Sequence, residues 1–109
     1  MFIVREVFHL KFGHYRDAKA LVDEAVSKKM FSRIEQRRLL TDFTGTSYRM
    51  IFETTFEKLD DFEKEITEMS GGNWFEWFHR FKQHVESSSR EILKLIDLYQ
   101  PNEKSGSGK

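Results

Sequence analysis

The sequence contains no cysteine, carries no net charge and has no long apolar run. Without cysteine there can be no disulfide, no thiolate zinc site and no cysteine nucleophile. The 18 basic residues are balanced by 18 acidic ones, which argues against a nucleic-acid partner, because such a partner needs a dense basic face. No apolar stretch approaches the roughly 20 residues that span a bilayer, and charges at Arg5 and Glu6 come too early for a signal peptide. We therefore expect no membrane partner and a cytoplasmic location.

Aromatic residues are abundant, by contrast, making up 15% of the 109 residues and including 11 phenylalanines. This content is too high for a disordered chain and sufficient for the core of one domain. We predict a single domain over residues 1–99. Residues 100–109 are rich in Gly, Ser and Lys and are predicted to form a flexible C-terminal tail.

Two runs rich in β-branched and aromatic residues flank a Thr-Gly-Thr-Ser turn at positions 44–47, a pattern typical of a β-hairpin. It predicts a second strand within Ile34–Phe43 and a third ending at Phe56. Upstream, alternating apolar residues predict a first strand over Phe2–Phe12. Apolar residues at three-and-four spacing then predict a helix from about Tyr15 to Met30.

A second helical region follows the hairpin. It begins where Asp60 and Glu63 fit a capping box. The Ser-Gly-Gly-Asn segment at 70–73 interrupts it, because glycines are costly inside a helix and Asn73 is a good cap for a new one. That new helix is predicted from Trp74 to about Glu86.

The end of the domain is predicted to be a fourth strand. Ser87–Ser89 is taken to end the helix, and both alternate sets of residues in Arg90–Tyr99 are apolar, as in a strand. A helix stays open as an alternative, since four apolar residues there also fit the helical period: Ile92, Leu93, Leu95 and Ile96.

The resulting order, β-α-β-β-α-β, predicts an α+β fold of the ferredoxin-like class with a four-stranded antiparallel sheet. Its helices can cover only one face of that sheet. The strands carry bulky residues on both faces, and exposing four of them, such as Ile3, Val7 and Ile51, would forgo roughly 6–12 kcal/mol of burial. We therefore predict a homodimer with sheets packed face to face. The pattern leaves open which face meets the helices.

The strand order, the opening segment Phe2–Phe8 and the segment Arg38–Asp42 before a glycine turn resemble the dimeric α+β barrel superfamily. The likeness is to small uncharacterised members related to the NIPSNAP and antibiotic-biosynthesis-monooxygenase groups. It implies a pocket in each subunit between the sheet and the helices. Some members bind quinone-like or haem substrates there and others isomerise lactones. Haem-degrading members use an Asn, a Trp and a His, and because the first strand here has no Asn, that activity is not carried over.

The histidines do not have the spacing of a metal site. His79 and His84 are five residues apart, about 140° around a helix, and so cannot share an ion as an i,i+4 pair does. Glu76 and His79 form half of a carboxylate–imidazole site, but no second Glu-x-x-His exists. We expect no bound metal. His79 and His84 are predicted on the solvated side of a helix, and His14 in a loop.

His9 is the candidate catalytic residue. It shares a strand face with Arg5, and the last strand offers Asp97, so His9 could carry a proton near neutral pH. The alternative is a hydrogen-bonded interface histidine, which the lack of an evident nucleophile favours. Four further residues fit a cross-strand charge network: Arg38, Asp42, Arg49 and Glu53.

An aromatic cluster after Gly71–Gly72 supplies the candidate ligand pocket. Trp74, Trp77 and Phe78 are its predicted lining residues, together with Phe81, and Tyr48 could add a hydroxyl. The glycine pair could act as a hinge. Apolar residues at helical spacing are, alternatively, ordinary core.

These observations predict a homodimer that binds a small molecule, for which an aromatic compound is one candidate, with a cofactor-free monooxygenase-like enzyme as one form of that function. No cofactor is expected. The alternative is a non-catalytic regulatory or interaction dimer. RNA-recognition domains share this strand order, but residues 47–54 lack the glycine of their third-strand consensus and place the acid Glu53 there.

Overall fold

In the computed structural model, residues 1–45, 48–69 and 72–99 are described. The four strands are β1 (Phe2–Leu10), β2 (Arg37–Thr41), β3 (Arg49–Phe56) and β4 (Val85–Lys94). The three helices are α1 (Tyr15–Ser27), α2 (Leu59–Glu68) and α3 (Gly72–Phe81). Short 3₁₀ turns at Ile34–Gln36 and Lys82–His84 lead into β2 and β4.

The strands form one antiparallel sheet in the order β2-β3-β1-β4. The predicted ferredoxin-like α+β fold is therefore confirmed. Gly45, in the predicted hairpin turn, has φ +98°, a conformation that favours glycine. Thr46 and Ser47 of that turn, the Ser70–Gly71 part of the predicted break and the predicted tail at 100–109 lie outside the described residues.

All three helices pack on the same face of the sheet. Met50 and Phe81 are fully buried in a cluster that joins β1 and β3 to α1 and α3. From α2, Phe62 contacts Phe56 of β3 with ring centroids 5.6 Å apart. Trp77 of α3 is also fixed, because its Nε1 donates a 2.7 Å hydrogen bond to the Leu21 carbonyl.

The opposite side of the sheet is the open face, which none of the described helices covers. Because side chains alternate along a strand, the register assigns fourteen residues to it. They are Ile3, Arg5, Val7 and His9 of β1, Arg38 and Leu40 of β2, Arg49, Ile51, Glu53 and Thr55 of β3, and Ser87, Ser89, Glu91 and Leu93 of β4. Ile51 thus points away from the helices.

Several predicted element boundaries are wrong. β1 stops at Leu10, and Phe12 is 90% exposed beyond it. The residue before α2 is Lys58, which makes no side-chain cap, and Asp60 lies inside the first turn, where its charge favours the helix dipole instead. Asn73 lies within α3, which begins at Gly72, and so does not cap it.

The largest error concerns the last strand. β4 begins at Val85, so Ser87–Ser89 belong to the strand instead of ending the helix. They are held there because they lie opposite His9, Phe8 and Val7 of β1. β4 ends at Lys94, so the segment 95–99 is not part of the strand.

Candidate ligand-binding cavity

A cavity of about 420 Å³ lies between the helix-covered face of the sheet and helices α2 and α3. This volume falls within the roughly 300–1,000 Å³ typical of ligand pockets. Ten aromatic side chains line it: Phe8, Phe31, Phe52, Phe56, Phe62, Trp74, Phe75, Trp77, Phe78 and Phe81. Five polar side chains also reach it: Glu6, Arg37, Thr54, Ser88 and Arg90. The walls are therefore predominantly aromatic, with few polar groups.

The α3 wall is a stack of aromatic rings. The Trp74 and Trp77 rings are 5.0 Å apart at 25°, and Trp77 and Phe81 are 5.1 Å apart at 12°. Phe8 meets Phe81 edge-on from the sheet, with centroids 5.1 Å apart. Such stacked and edge-on contacts stabilise the rings beyond their burial alone. One wall of the cavity is consequently flat and well supported.

Arg37 is a polar residue of the cavity lining, and its side chain is only 12% exposed. Its Nε donates to the Ser32 carbonyl at 2.7 Å and its Nη1 donates to Thr54 Oγ1 at 2.9 Å. Its Nη2 lies 2.5 Å from Glu65 Oε2, an ion pair that lacks hydrogen-bond geometry. Glu65 is itself buried. The charge of Arg37 is therefore neutralised within the protein, and its ion pair with Glu65 links β2 to α2.

A second ion pair lies nearer solvent. Arg90 of β4 donates from Nε to Glu6 Oε2 of β1 at 2.5 Å, and the two residues are directly opposite in the sheet. The Arg90 guanidinium also lies 5.1 Å from the centre of the Phe62 ring. The side chains of Arg90 and Glu6 are 47% and 30% exposed, against 12% and 9% for Arg37 and Glu65. We therefore call the part of the cavity lined by this pair its open end.

The predicted pocket residues divide into two groups. Trp74, Trp77 and Phe78 all line the cavity. Tyr48 lies elsewhere: its ring stacks on Phe12, with centroids 5.3 Å apart, and it lines a separate, more open pocket of about 410 Å³. Binding of a ligand by Trp74, Trp77 and Phe78 stays a prediction.

His9 lies on the open face, with the sheet between it and the cavity. Its opposite neighbours are Arg49 of β3 and Ser87 of β4. Asp97 was expected to join it, but Asp97 lies beyond the end of β4, and its Oδ1 accepts a hydrogen bond from the Tyr99 amide at 3.2 Å. A catalytic role for His9 stays a prediction, and such a role would belong to the open face.

Two other histidines meet unexpectedly. His14 precedes α1 and His84 precedes β4, and their Nδ1 atoms are 2.9 Å apart. His84 is thus half-buried and paired, not on a solvated helix side, whereas His79 is exposed as predicted. Within the described residues no three His, Asp or Glu side chains are grouped so that they could hold a metal ion.

The predicted cross-strand charges form two groups. Arg49 binds Asp42, with Nη2 and Oδ1 2.8 Å apart, and this hydrogen bond holds the pKa of Asp42 below its ordinary value. Glu53 accepts hydrogen bonds from Arg38 and from Arg5, the latter at 2.8 Å. Burial alone would raise the pKa of Glu53, but the bonds from Arg38 and Arg5 outweigh it and leave the pKa lowered.

Sequence reasoning missed the sheet side of the cavity. Phe8, Phe52 and Phe56 occupy alternate positions on the helix-covered face of β1 and β3, so strand alternation could have identified them. The polar residues Arg37 and Arg90 had no comparable local signal, because their partners Glu65 and Glu6 are distant in sequence.

No protein-family model matches the sequence, and no curated protein matches it. Solved structures do resemble it. A NIPSNAP family protein from Agrobacterium tumefaciens aligns with a TM-score of 0.78 and 20% identity over 93% of this chain and 98% of that one. A second NIPSNAP family protein from the same organism, of unknown function, has a TM-score of 0.80 and 17% identity over 93% and 92%. An antibiotic biosynthesis monooxygenase has a TM-score of 0.65 and 11% identity over 89% and 100%.

The chain therefore has the ferredoxin-like α+β fold of NIPSNAP proteins and antibiotic biosynthesis monooxygenases, as its sequence suggested. At these identities the likeness concerns the fold alone. In the described part of the chain, no helix is both long and apolar enough to cross a bilayer.

Proposed function

We propose that the protein is a homodimeric small-molecule-binding domain whose cavity takes a flat, largely aromatic ligand. The cavity itself supports this most directly: about 420 Å³ lined mainly by aromatic rings, with the stacked Trp74–Trp77 pair on one side. Aromatic walls favour planar ligands through stacking and burial of apolar surface. The Glu6–Arg90 pair at the open end would orient a polar edge of the ligand.

The open face supports the dimer. Ile3 and Ile51 lie on it and are half-buried, Leu40 and Leu93 at its edges are 37% and 40% exposed, and Val7 beside them is already buried within one chain. A second copy related by a two-fold axis would cover the same residues in both chains at once. Burial of several such side chains would stabilise the pair by roughly 1.5–3 kcal/mol for each one fully buried.

Catalysis by a cofactor-free monooxygenase mechanism is the finer form of the proposal. Its support is the fold shared with an antibiotic biosynthesis monooxygenase. Oxygen uptake with an added hydroxyaromatic compound would support it, whereas binding without oxygen uptake would favour the alternative of a non-catalytic regulatory or interaction dimer. The non-catalytic alternative is favoured by Arg37, because its charge is already paired with Glu65.

We also propose a cytosolic location.

Ligand binding can be tested by titrating quinones, hydroxyaromatics and haem while following the melting temperature and the tryptophan fluorescence. A ligand at 100 times its Kd should stabilise the protein by about 2.7 kcal/mol. Ser88→Phe should weaken binding, because Ser88 lines the cavity and a phenyl ring there would occupy it. Ser27→Phe, at the exposed end of α1, is the matched control. If no planar ligand raises the melting temperature, or if both variants bind alike, the cavity is not the binding site.

A further inference from the structure

Four charged residues on the open face form a line across the whole sheet. The register places Arg38 of β2 opposite Glu53 of β3, Glu53 opposite Arg5 of β1, and Arg5 opposite Glu91 of β4. We call Arg38, Glu53, Arg5 and Glu91 the charge ladder. Its charges alternate from one edge of the sheet to the other: positive, negative, positive, negative.

The ladder is only partly satisfied within one chain. Glu53 is 3% exposed and bound by both arginines. At the two edges, the Arg38 side chain is 68% exposed, and Glu91 is exposed and makes no hydrogen bond or ion pair in the described part of the chain. Arg5, beside Glu91, keeps 41% of its side chain exposed. Both ends of the ladder are therefore exposed to charges from outside, although Arg38 already binds Glu53 and Glu91 attracts Arg49 within the same chain.

Resting on the homodimer proposed above, we infer that the charge ladder is self-complementary and sets how two copies dock. A two-fold axis parallel to the strands reverses the strand order of the second sheet over the first. Arg38 then faces Glu91 of the partner subunit, and Glu53 faces Arg5 of the partner subunit. Each of the four positions meets the opposite charge.

The other symmetric face-to-face arrangement is disfavoured by the same four residues. With the two-fold axis perpendicular to the strands and passing through the ladder, each strand lies over its own copy. Arg38 would then face Arg38 of the partner subunit, and the other three positions would likewise meet their own charge. Like charges facing one another in an interface oppose association.

Apolar rows flank the ladder on both sides. Leu40, Ile51 and Val7 lie on one side, and Ile3 and Leu93 on the other. Stacked sheets are about 10 Å apart, a distance that arginine and glutamate side chains can bridge between them. The flanking rows would exclude water around the ladder, which strengthens attraction between opposite charges and repulsion between like ones. The ladder would therefore select the docking geometry while the apolar rows supply the affinity.

The edge residues allow a clean test, because Arg38 and Glu91 lie on opposite edge strands. Three strand spacings separate them, about 14 Å, which is more than a Debye length of about 10 Å at 0.1 M salt. Reversing either charge therefore leaves any direct contact between these two residues in one chain unchanged, although Arg38→Glu also lies beside Glu53 and Glu91→Arg also lies opposite Arg5. Arg38→Glu alone and Glu91→Arg alone each place like charges face to face at two sites in the dimer.

Sedimentation velocity over a range of concentrations should show the dimer Kd rising about tenfold or more for each single variant. The double variant R38E/E91R should return it close to the wild-type value, because both contacts are then restored with reversed sign. Arg16→Glu and Glu68→Arg carry the same charge changes on the exposed surface of α1 and α2, and should leave the Kd unchanged.

The outcomes separate this inference from the dimer itself. A wild-type chain that is monomeric at tens of micromolar overturns both. A wild-type dimer whose single variants bind normally, or whose double variant is not restored, overturns the ladder alone. Because Arg38→Glu places a carboxylate beside Glu53, near-UV circular dichroism should check its fold, and R38Q/E91R should still bind better than E91R. Mixing R38E with E91R should also give a heterodimer tighter than either homodimer.

Discussion

Glu53 offers the sharpest test of the electrostatics on the open face. Its carboxylate is 3% exposed and accepts hydrogen bonds from Arg5 and Arg38. Two variants remove either the carboxylate or the two guanidinium groups that bind it. Glu53→Gln deletes the buried charge, whereas the double variant R5A/R38A deletes both cations and leaves the buried carboxylate alone. The structure predicts very different costs for the two.

The asymmetry follows from exposure. In the single chain the side chains of Arg5 and Arg38 are 41% and 68% exposed, so in the monomer they can be rehydrated when the carboxylate is lost. We therefore expect Glu53→Gln to cost about 1–2 kcal/mol, because the buried side chain keeps an oxygen that can accept a hydrogen bond while the two arginines regain water. A buried carboxylate left without partners costs about 3–5 kcal/mol. R5A/R38A should be the more damaging change, by about 1–4 kcal/mol.

Urea unfolding at one fixed protein concentration, followed by tryptophan fluorescence, measures both costs. The pH dependence gives a second reading. In the wild type the pKa of Glu53 is lowered, so its stabilising effect is present above the ordinary value and is lost as the pH falls. In R5A/R38A burial alone raises that pKa, so the variant should instead lose stability as the pH rises. Equal costs for the two perturbations, or parallel pH profiles, would refute the argument.

Three further predictions concern other contacts. Ile51→Glu should dissociate the proposed dimer, as measured by light scattering, because it would bury two unpaired charges. Ile51→Val should cost only about 1 kcal/mol per site. If the Ile51→Glu variant is still a dimer, the interface lies on another face of the protein. Arg80→Ala should lower the melting temperature at pH 7, since Arg80 holds the pKa of Glu24 at about 2 with help from Lys28. The difference in melting temperature between wild type and variant should disappear as the pH falls from 4.5 toward 2, and a difference that stays constant would contradict the prediction. A double-mutant cycle on His14 and His84 should give a coupling free energy of about 0.5–1.5 kcal/mol for unfolding. Strictly additive effects of the two substitutions would contradict this prediction.

Much of the fold could be predicted because local patterns and tertiary packing agree there. Alternation in β1 and β3 and the helical spacing in α1 identify elements that bury one face. The β4 strand could not be located from its own residues, since Glu86–Arg90 is polar and poor in β-branched side chains. It forms because β1 offers hydrogen-bonding partners along its whole length, which overrides local preference.

The candidate site was predictable on its helical side only. Trp74, Trp77 and Phe78 stood out as an aromatic stripe, and the structure places all three on the cavity wall. Tyr48 was expected to add a hydroxyl to the same pocket, but its ring instead stacks on Phe12 at the end of the hairpin. Glu6 lies among apolar residues on the helix-covered face of β1, and its partner Arg90 can be identified only once β1 and β4 are paired.

The strand order also determines when the domain can finish folding. β1 occupies the interior of the sheet, and its neighbour β4 is the last of the four strands to be synthesised, with Phe2 paired to Lys94. Until β4 is available, one edge of β1 has no backbone partner, and such an edge can pair with other chains. Pairing across so long a stretch of sequence also slows folding. On the ribosome, the sheet therefore cannot close until β4 has emerged, and the nascent chain stays vulnerable to aggregation until then.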